Sequence, residues 1–301
     1  MIFNKIFILG AGSVGSIYGA LLSKQEDVNL IGRKEHVNAI NSKGLLLYGN
    51  FEGKYNVKAD TEIKEIPSNT LILLSTKITD SEKSIKEIKH LIKKDTIILL
   101  LQNGLGIEEI VKKILPDNEI IRAVITLGSD FLEPGKISNV SYSNTAIEKT
   151  KNAEKIAKLF NDCGLKTEVS DDIKSHVWKK LIVNCVLNPL TTILQVKDNE
   201  IIVNNLKPIR YGIIDECIKV AKTEGIYIDP SIKNMIDERI ALFTNYSSMC
   251  QDIMKAKKTE IDFLNGKIVE IGKKHNIPTP MNETMVASIK FLEEKNEHRR
   301  N

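Results

Sequence analysis

Residues 4–9 (Asn-Lys-Ile-Phe-Ile-Leu) form a short, mainly apolar run that leads straight into Gly10-Ala11-Gly12-Ser13-Val14-Gly15, and a stretch rich in small residues follows through about Lys24. A strand buried on both faces reads this way, and the small-residue stretch reads as the helix after it. Glycines at the first, third and sixth places let the chain turn sharply, let a backbone approach a ligand and let the helix pack close to the strand. A helix that opens at such a turn aims unpaired N–H groups at whatever lies in front of it, which suits a pyrophosphate. The glycine spacing alone is a weak signal, since a ligand-free turn can show it. The preceding strand and the following helix supply the context that makes it a dinucleotide motif.

The same alternation continues. Val28–Ile31 reads as the next strand and ends at Gly32-Arg33, Leu71–Ser75 as another, followed by a charged helix over about 80–93, and Thr96–Leu101 as a third, ending at Gln102-Asn103-Gly104. Two short β-like runs, 44–49 and 54–59, suggest a hairpin insertion. Buried strands alternating with helices predict a Rossmann-type, doubly wound parallel sheet. After about residue 170 strand signals stop. Segments of helical period follow at roughly 172–188, 205–224, 231–244, 248–275 and 281–295, punctuated by Pro189, Pro208, Pro230, Pro278 and Pro280. With 301 residues the chain is long enough for two cores. The expected division is an α/β nucleotide-binding domain over 1–170 and an all-helical domain over 171–301.

Composition excludes several function classes. A net charge of +4 with Lys and Asp/Glu interspersed leaves no nucleic-acid footprint; only His298-Arg299-Arg300 is locally basic. No apolar run is long enough to span a membrane, and Ile2–Leu9 is too short for a secretory leader. Cys163, Cys185, Cys217 and Cys250 are far apart and show no metal-ligand spacing. Reduced thiols in a cytoplasmic protein are the expectation.

The end of the second strand distinguishes the two nicotinamide cofactors. An acidic residue there would favour a free ribose 2′-OH, whereas Arg33, with Lys34 beside it, suits a 2′-phosphate and points to NADPH. Lys77, just past the 71–75 strand, and Asn103, just past the 96–101 strand, stand where such sheets carry ligand contacts; the alternative for each is a cap or turn residue.

In the helical half, Trp178–Thr191 is an apolar segment along which Lys180, Asn184 and Asn188 recur every fourth residue. Steps of four drift by only about 40° around a helix, so the three share one side. Buried amides and ammonium groups need partners, so the file suggests a polar pocket for a small ligand. The bland alternatives are a snorkelling lysine, which fits Lys179, an inter-helix bond for Asn184, and a helix end at Asn188 before Pro189.

These residues, with Gly10–Gly15, Gln102-Asn103-Gly104, the run Ser247–Asp252 and Thr259-Glu260-Ile261-Asp262, make the chain resemble the ketopantoate reductase family over nearly its full length. The resemblance implies reduction of 2-dehydropantoate by NADPH to (R)-pantoate, on the route to pantothenate and coenzyme A. It places the catalytic lysine at Lys180 and the glutamate that supports it and the cofactor ribose at Glu260. It places substrate contacts at Asn103, Lys180, Asn184, Asn188, Asp198 and Ser248, and cofactor contacts at Gly10, Ala11, Gly12, Ser13, Val14, Gly15, Arg33, Lys77, Asn103, Gly128 and Glu260. One position departs: Lys197-Asp198-Asn199-Glu200 stands where the family commonly has Pro-Asn-Gly-Glu. An ionised Asp198 would repel a substrate carboxylate unless paired or turned away, which leaves room for another branched 2-oxo acid as substrate. A non-catalytic NADPH sensor is the reading from another class, and a pure binder has no need of Lys180. The expected partner is a small 2-oxo acid, and a homodimer stays open.

One geometric constraint follows. Ser248 and Glu260 are twelve residues apart, about 18 Å along a straight helix, too far to share one small hydroxy acid. The segment is therefore expected to break near Ala256–Lys258. Thr259 is expected to cap a new helix with Asp262 in its first turn, and Ser248 to cap the helix starting at Met249, with Gln251 completing a capping box.

Overall fold

The computed structural model describes residues 1–298. The Arg299-Arg300 pair of the basic end lies outside the described residues. Contacts divide the chain into two units, Met1–Gln102 with Gly106–Ile173, and Asn103–Leu105 with the chain from Lys174. The short piece around Asn103 thus clusters with the helical unit.

The first unit is built on strands β1 (Lys5–Leu9), β2 (Val28–Ile31), β3 (Leu45–Gly49), β4 (Gly53–Tyr55), β5 (Lys58–Asp60), β6 (Thr70–Leu74), β7 (Ile97–Leu100), β8 (Glu119–Glu133), β9 (Lys136–Glu148) and β10 (Thr167–Ser170). Its helices are α1 (Ser13–Leu22), α2 (Lys34–Lys43), α3 (Ile78–Ile88), α4 (Ile107–Ile114) and α5 (Ala153–Asp162). Strands β5-β2-β1-β6-β7-β8 lie side by side in parallel. By chain order among these strands this is the 3-2-1-4-5-6 arrangement of the doubly wound nucleotide-binding fold. The apolar runs that predicted it are buried throughout: all of Val28–Ile31, Thr70–Leu74 and Ile97–Leu100 lie inside the unit, as strands covered on both faces should.

Two expectations change here. The run 54–59 is not the second arm of one hairpin. Gly53–Tyr55 pairs antiparallel with β3, but Lys58–Asp60 separates as β5 and joins β2 in parallel. The sheet also continues past β8 through the long antiparallel β8–β9 pair, with β3 and β10 parallel to β9. Register irregularities at Ile125/Leu127, Gly128/Ser129 and Phe131/Glu133 break the strict alternation by which such strands are read from sequence.

Helix α2 is fixed to this sheet by His36, which is only 3% exposed. Its Nδ1 accepts the main-chain N–H of Gly135 at 2.9 Å, and its Nε2 meets Ser16 Oγ of α1 at 3.0 Å. One side chain therefore joins the helix behind the glycine motif to the β8–β9 turn.

The second unit holds α6 (Ile173–Leu194), α7 (Lys207–Thr223), α8 (Ile232–Ile240), α9 (Ser248–Met254), α10 (Asn265–Lys274) and α11 (Pro280–His298). Its core gathers Trp178, Leu181, Ile182, Cys185, Val186, Ile213, Cys217, Ile236, Ile268 and Ile289. Asn188 does not end the sixth helix. Pro189 is incorporated, and the helix runs on to Leu194. Proline removes the donor that would bond the carbonyl four residues back, here Cys185. A side chain from elsewhere supplies that bond: Asn265 Nδ2 donates to Cys185 O at 2.9 Å.

The segment 248–275 breaks where the geometry demands. Helix α9 stops at Met254, Ala256 takes the left-handed conformation (φ +49°), and a 3-10 turn at Ile261–Phe263 precedes α10. Lys257 N closes the end on Asp252 O at 2.8 Å. Among the described residues no helix is long and apolar enough to cross a membrane, and the four cysteines are buried free thiols.

Burial holds the His36 ring neutral and lowers its pKa from the ordinary 6.5 to about 4. A depressed folded-state pKa means that the unfolded chain binds the extra proton first, so stability is full above pH 6.5 and falls as the pH drops toward 4. Urea unfolding followed across this window is expected to lose midpoint steadily in the wild type. The His36→Asn variant should show a shallower decline, because the titrating ring is gone.

Candidate active site

The glycine motif sits at the carboxyl end of β1, where the sheet order reverses between β2 and β6. Strand ends at this reversal are where such sheets hold ligands. Gly10 has φ +109°, and a Cβ there would lie 2.4 Å from Thr76 N of the segment after β6. A Cβ on Gly15 would lie 2.4 Å from Gly10 O and 2.5 Å from Ser75 Oγ. Both glycines are thus required by packing within the protein. Gly12 differs: its Cβ position has nothing within 4 Å, which leaves the open approach that a pyrophosphate needs. Helix α1 starts at Ser13, has no side-chain cap and carries no acidic residue in its first turn. Its positive end is therefore available to an anion. Ser13 and Val14 are half-buried, and Ala11 is buried.

Arg33 is exposed at the residue just before α2, where its side chain makes no capping bond, and it follows Gly32, whose Cβ would press on Ala11 Cβ at 2.9 Å. That close approach holds the end of β2 against the glycine turn. Lys77 is half-buried at the start of α3, and its carbonyl accepts Ser81 Oγ at 2.9 Å. Ser81 Oγ also accepts the side-chain amide N–H of Gln102 at 3.0 Å, and the main-chain carbonyl of Gln102 accepts Arg122 Nη2 at 2.8 Å. This buried chain ties the ends of β6 and β7 together. Gly128 is explained by crowding: a Cβ would stand 2.6 Å from Ser141 Oγ on β9.

In the second unit, Lys180 and Asn184 are half-buried on α6, Asn188 is buried and Lys179 is exposed. The polar file is thus graded from the surface inward, on a helix that gives Trp178, Leu181, Ile182, Cys185 and Val186 to the core. The hydrogen bonds described for Asn188 use its main-chain carbonyl, which accepts the hydroxyls of Thr192 at 2.6 Å and Thr191 at 3.2 Å. Thr191 Oγ1 in turn meets Ser247 Oγ at 2.7 Å, and this contact sets the start of α9, with Ser248, beside the end of the file.

The cap of α9 is Ser247, not Ser248. Ser247 Oγ accepts the N–H of Cys250 at 3.2 Å, while exposed Ser248 is the first helical residue. Gln251 then falls at the fourth helical position rather than the third. Its amide donates to Tyr246 O at 3.0 Å, so the expected box does not form. At the other break Glu260, not Thr259, holds the N-cap position of the 3-10 turn and no side chain caps it; Thr259 Oγ1 accepts Ile261 N at 3.3 Å from one residue earlier, and the α-helix waits until Asn265.

Glu260 is half-buried at the head of that turn. Asn103–Leu105 lies against the same turn: Leu105 N donates to Phe263 O at 3.1 Å, and a Cβ on Gly104 (φ +86°) would meet that oxygen at 2.5 Å. The segments carrying Asn103 and Glu260 are therefore brought together within one unit. Asp198 is 2% exposed, in the 3-10 turn after α6. Its Oδ2 accepts Asn245 Nδ2 at 3.0 Å, and its N–H donates to Asn245 O at 3.0 Å. Burial and the charge of Asp198 push the nearby Cys250 thiol up to about 11. Arg210 Nη1, buried, donates to Ile201 O and Val203 O and so clamps this turn from α7. Asn245, Asn265 and Arg210 were not singled out from the sequence. The one related signal was Pro189: inside a helix it leaves a carbonyl that some side chain must serve, but nothing in the sequence names Asn265 as that side chain.

Comparison with known proteins gives the family and the fold. Residues 6–152 match the family model described as ketopantoate reductase PanE/ApbA, and residues 172–293 match the C-terminal model of the same family. The 2-dehydropantoate 2-reductase of Pyrococcus horikoshii is 38% identical over 297 residues, covering 96% of this chain and 97% of the relative. That of Aquifex aeolicus is 31% identical over 312 residues, covering 96% and 97%. Among solved structures, a PanE/ApbA family ketopantoate reductase from Ralstonia eutropha superposes with a TM-score of 0.92 at 30% identity, covering 98% of this chain and 100% of that one. A D-mandelate dehydrogenase solved with NADH and anilino(oxo)acetate gives 0.89 at 30%, covering 97% and 99%. A Rossmann-type unit, a helical unit carrying the Lys180 file and near-complete coverage by both models place the chain in the ketopantoate reductase family.

Proposed function

We propose that the protein is an NADPH-dependent reductase that converts 2-dehydropantoate to (R)-pantoate. The observation that carries this reading is the file Lys180–Asn184–Asn188, polar groups running inward on the most apolar helix of the second unit. The family membership and the names of its relatives support the same substrate.

In this reading the glycine turn and the open end of α1 hold the cofactor's pyrophosphate, and Arg33 holds a 2′-phosphate. Lys77, Asn103 and Glu260 complete the cofactor side, with Gly128 as a further contact. When bound, the cofactor supplies the hydride. Lys180 gives the proton to the ketone oxygen, and its charge stabilises that oxygen before the proton moves. Asn184 and Asn188 hold the hydroxyl and carboxylate through donors that add no charge, and Asn103 and Ser248 close the acid's surroundings. Glu260 orients Lys180. Asp198 is buried under Asn245, so in this proposal it shapes the turn beside the acid rather than opposing its carboxylate. Free buried thiols fit a reducing cytoplasm, and a homodimer is testable by light scattering.

A second reading has one observation in its favour: the similar D-mandelate dehydrogenase was solved with NADH. The chain would then reduce a different 2-oxo acid with NADH. Arg33 opposes it, since NADH carries no 2′-phosphate.

The test is a steady-state assay of NADPH and NADH oxidation with ketopantoate and a panel of branched and aryl 2-oxo acids. Highest kcat/KM with NADPH and ketopantoate is expected; preference for another acid favours the second reading. Folded protein that turns over no oxo acid would favour a binding role and defeat the proposal. Lys180→Ala is expected to lower kcat by about 10²–10⁴-fold while NADPH affinity holds, and near-normal kcat would remove Lys180 as proton donor. Arg33→Glu is expected to weaken NADPH far more than NADH, and equal losses would remove the 2′-phosphate assignment.

A further inference from the structure

Helix α6 contains a proline at position 189, and the hydrogen bond that this proline cannot make would have run to the carbonyl of Cys185. That missing bond spans the turn separating Asn184 from Asn188. A helix bends where such a bond is lost unless another group takes it over. Cys185 is fully buried, so no water reaches its carbonyl from bulk solvent.

Asn265, also fully buried, takes the place of the missing donor. Its Nδ2 donates to Cys185 O at 2.9 Å and to Asn282 Oδ1 at 2.9 Å. The orientation of this amide is forced from outside. Glu216 is an acceptor and takes Asn282 Nδ2 at 2.7 Å, with Asn282 N at 2.9 Å and Met281 N at 2.8 Å. Asn282 therefore presents its oxygen to Asn265, and Asn265 must present both hydrogens, one to Asn282 and one to Cys185. The Oδ1 of Asn265 is left buried without a hydrogen-bond partner among the described residues. A buried acceptor left open is unfavourable. What the residue contributes is therefore its two donors, which no apolar side chain of similar size supplies.

We propose that Asn265 is a positioning residue for the 2-oxo acid: its bond to Cys185 O replaces the helical bond lost at Pro189 and fixes the spacing of Asn184 and Asn188. Glu216 and Asn282 hold Asn265 in the orientation that makes the bond. The inference rests on the reading of the Asn184–Asn188 face as the wall that binds the acid.

The pairing of Pro189 with Asn265 gives a direct test on the full chain. Asn265→Ala is expected to raise KM for ketopantoate about tenfold, the scale of one lost hydrogen bond, with the NADPH Kd within about twofold of wild type. Pro189→Ala combined with Asn265→Ala restores an N–H at position 189, and KM is expected to return to within about threefold of wild type. Wild-type KM in Asn265→Ala, a double variant as impaired as the single, or parallel loss of NADPH binding would each overturn the proposal. If the single variant does not fold, the double variant must fold and turn over, and failure of both to fold also overturns it. Thermal midpoints of the same variants keep this inference separate from the substrate assignment. If the wild type reduces no oxo acid, the substrate reading falls, while a Tm lowered in Asn265→Ala and recovered in the double variant still upholds the bond; no recovery removes it.

Discussion

The carbonyl of Cys185 cannot be served by its own helix, and the layout of the helical unit follows from how it is served. An unsatisfied buried carbonyl costs about 1–3 kcal/mol, a sizeable share of the stability of a domain. Asn265 answers it from the head of α10, and Asn282 and Glu216 extend the connection to α11 and α7. Three helices are thereby referred to one point on α6, at the turn that carries Asn184 and Asn188. The break between α9 and α10 serves the same end, because a continuous helix would carry Glu260 and Asn265 far from Ser248. Arg210 completes the frame by gripping the turn after α6 through two carbonyls while its other nitrogens hold Asp237 of α8.

The first unit is organised by steric exclusion instead. Gly10 and Gly15 let the end of β1, the start of α1 and the segment after β6 meet at distances no side chain permits, while Gly12 leaves its surroundings open. Two glycines are fixed by the protein and the third by the space it leaves, which is the division of labour a pyrophosphate turn needs. Behind the turn, Ser16 and His36 join α1 to α2 and the β8–β9 turn, and Gln102, Ser81 and Arg122 join the ends of β6 and β7. Neutral His36 makes the first of these connections sensitive to acid.

What could be read from the sequence was whatever local pattern decides. The glycine turn, the parallel strands, the polar file and the break near Ala256 all follow from spacing within one segment. What escaped was decided by residues far apart in the chain. Pro189 looked like a helix end because its compensating donor lies 76 positions away, at Asn265. Ser248 looked like the cap because Ser247 differs from it only through burial and a contact with Thr191. The bond that Asp198 accepts from Asn245 could not be read because Asn245 stands on another segment. Lys58–Asp60 reads like the arm of a hairpin until β2 claims it.

The central claim is that the Lys180 side of α6 is the wall on which a 2-oxo acid is reduced. A crystal structure of the protein with NADP⁺ and ketopantoate tests it most directly. The expected result is Lys180 Nζ within about 2.6–3.2 Å of the ketone oxygen, with Asn184 and Asn188 bonded to the acid's hydroxyl and carboxylate. An acid bound with its ketone away from Lys180, or with neither asparagine touching it, would contradict the account.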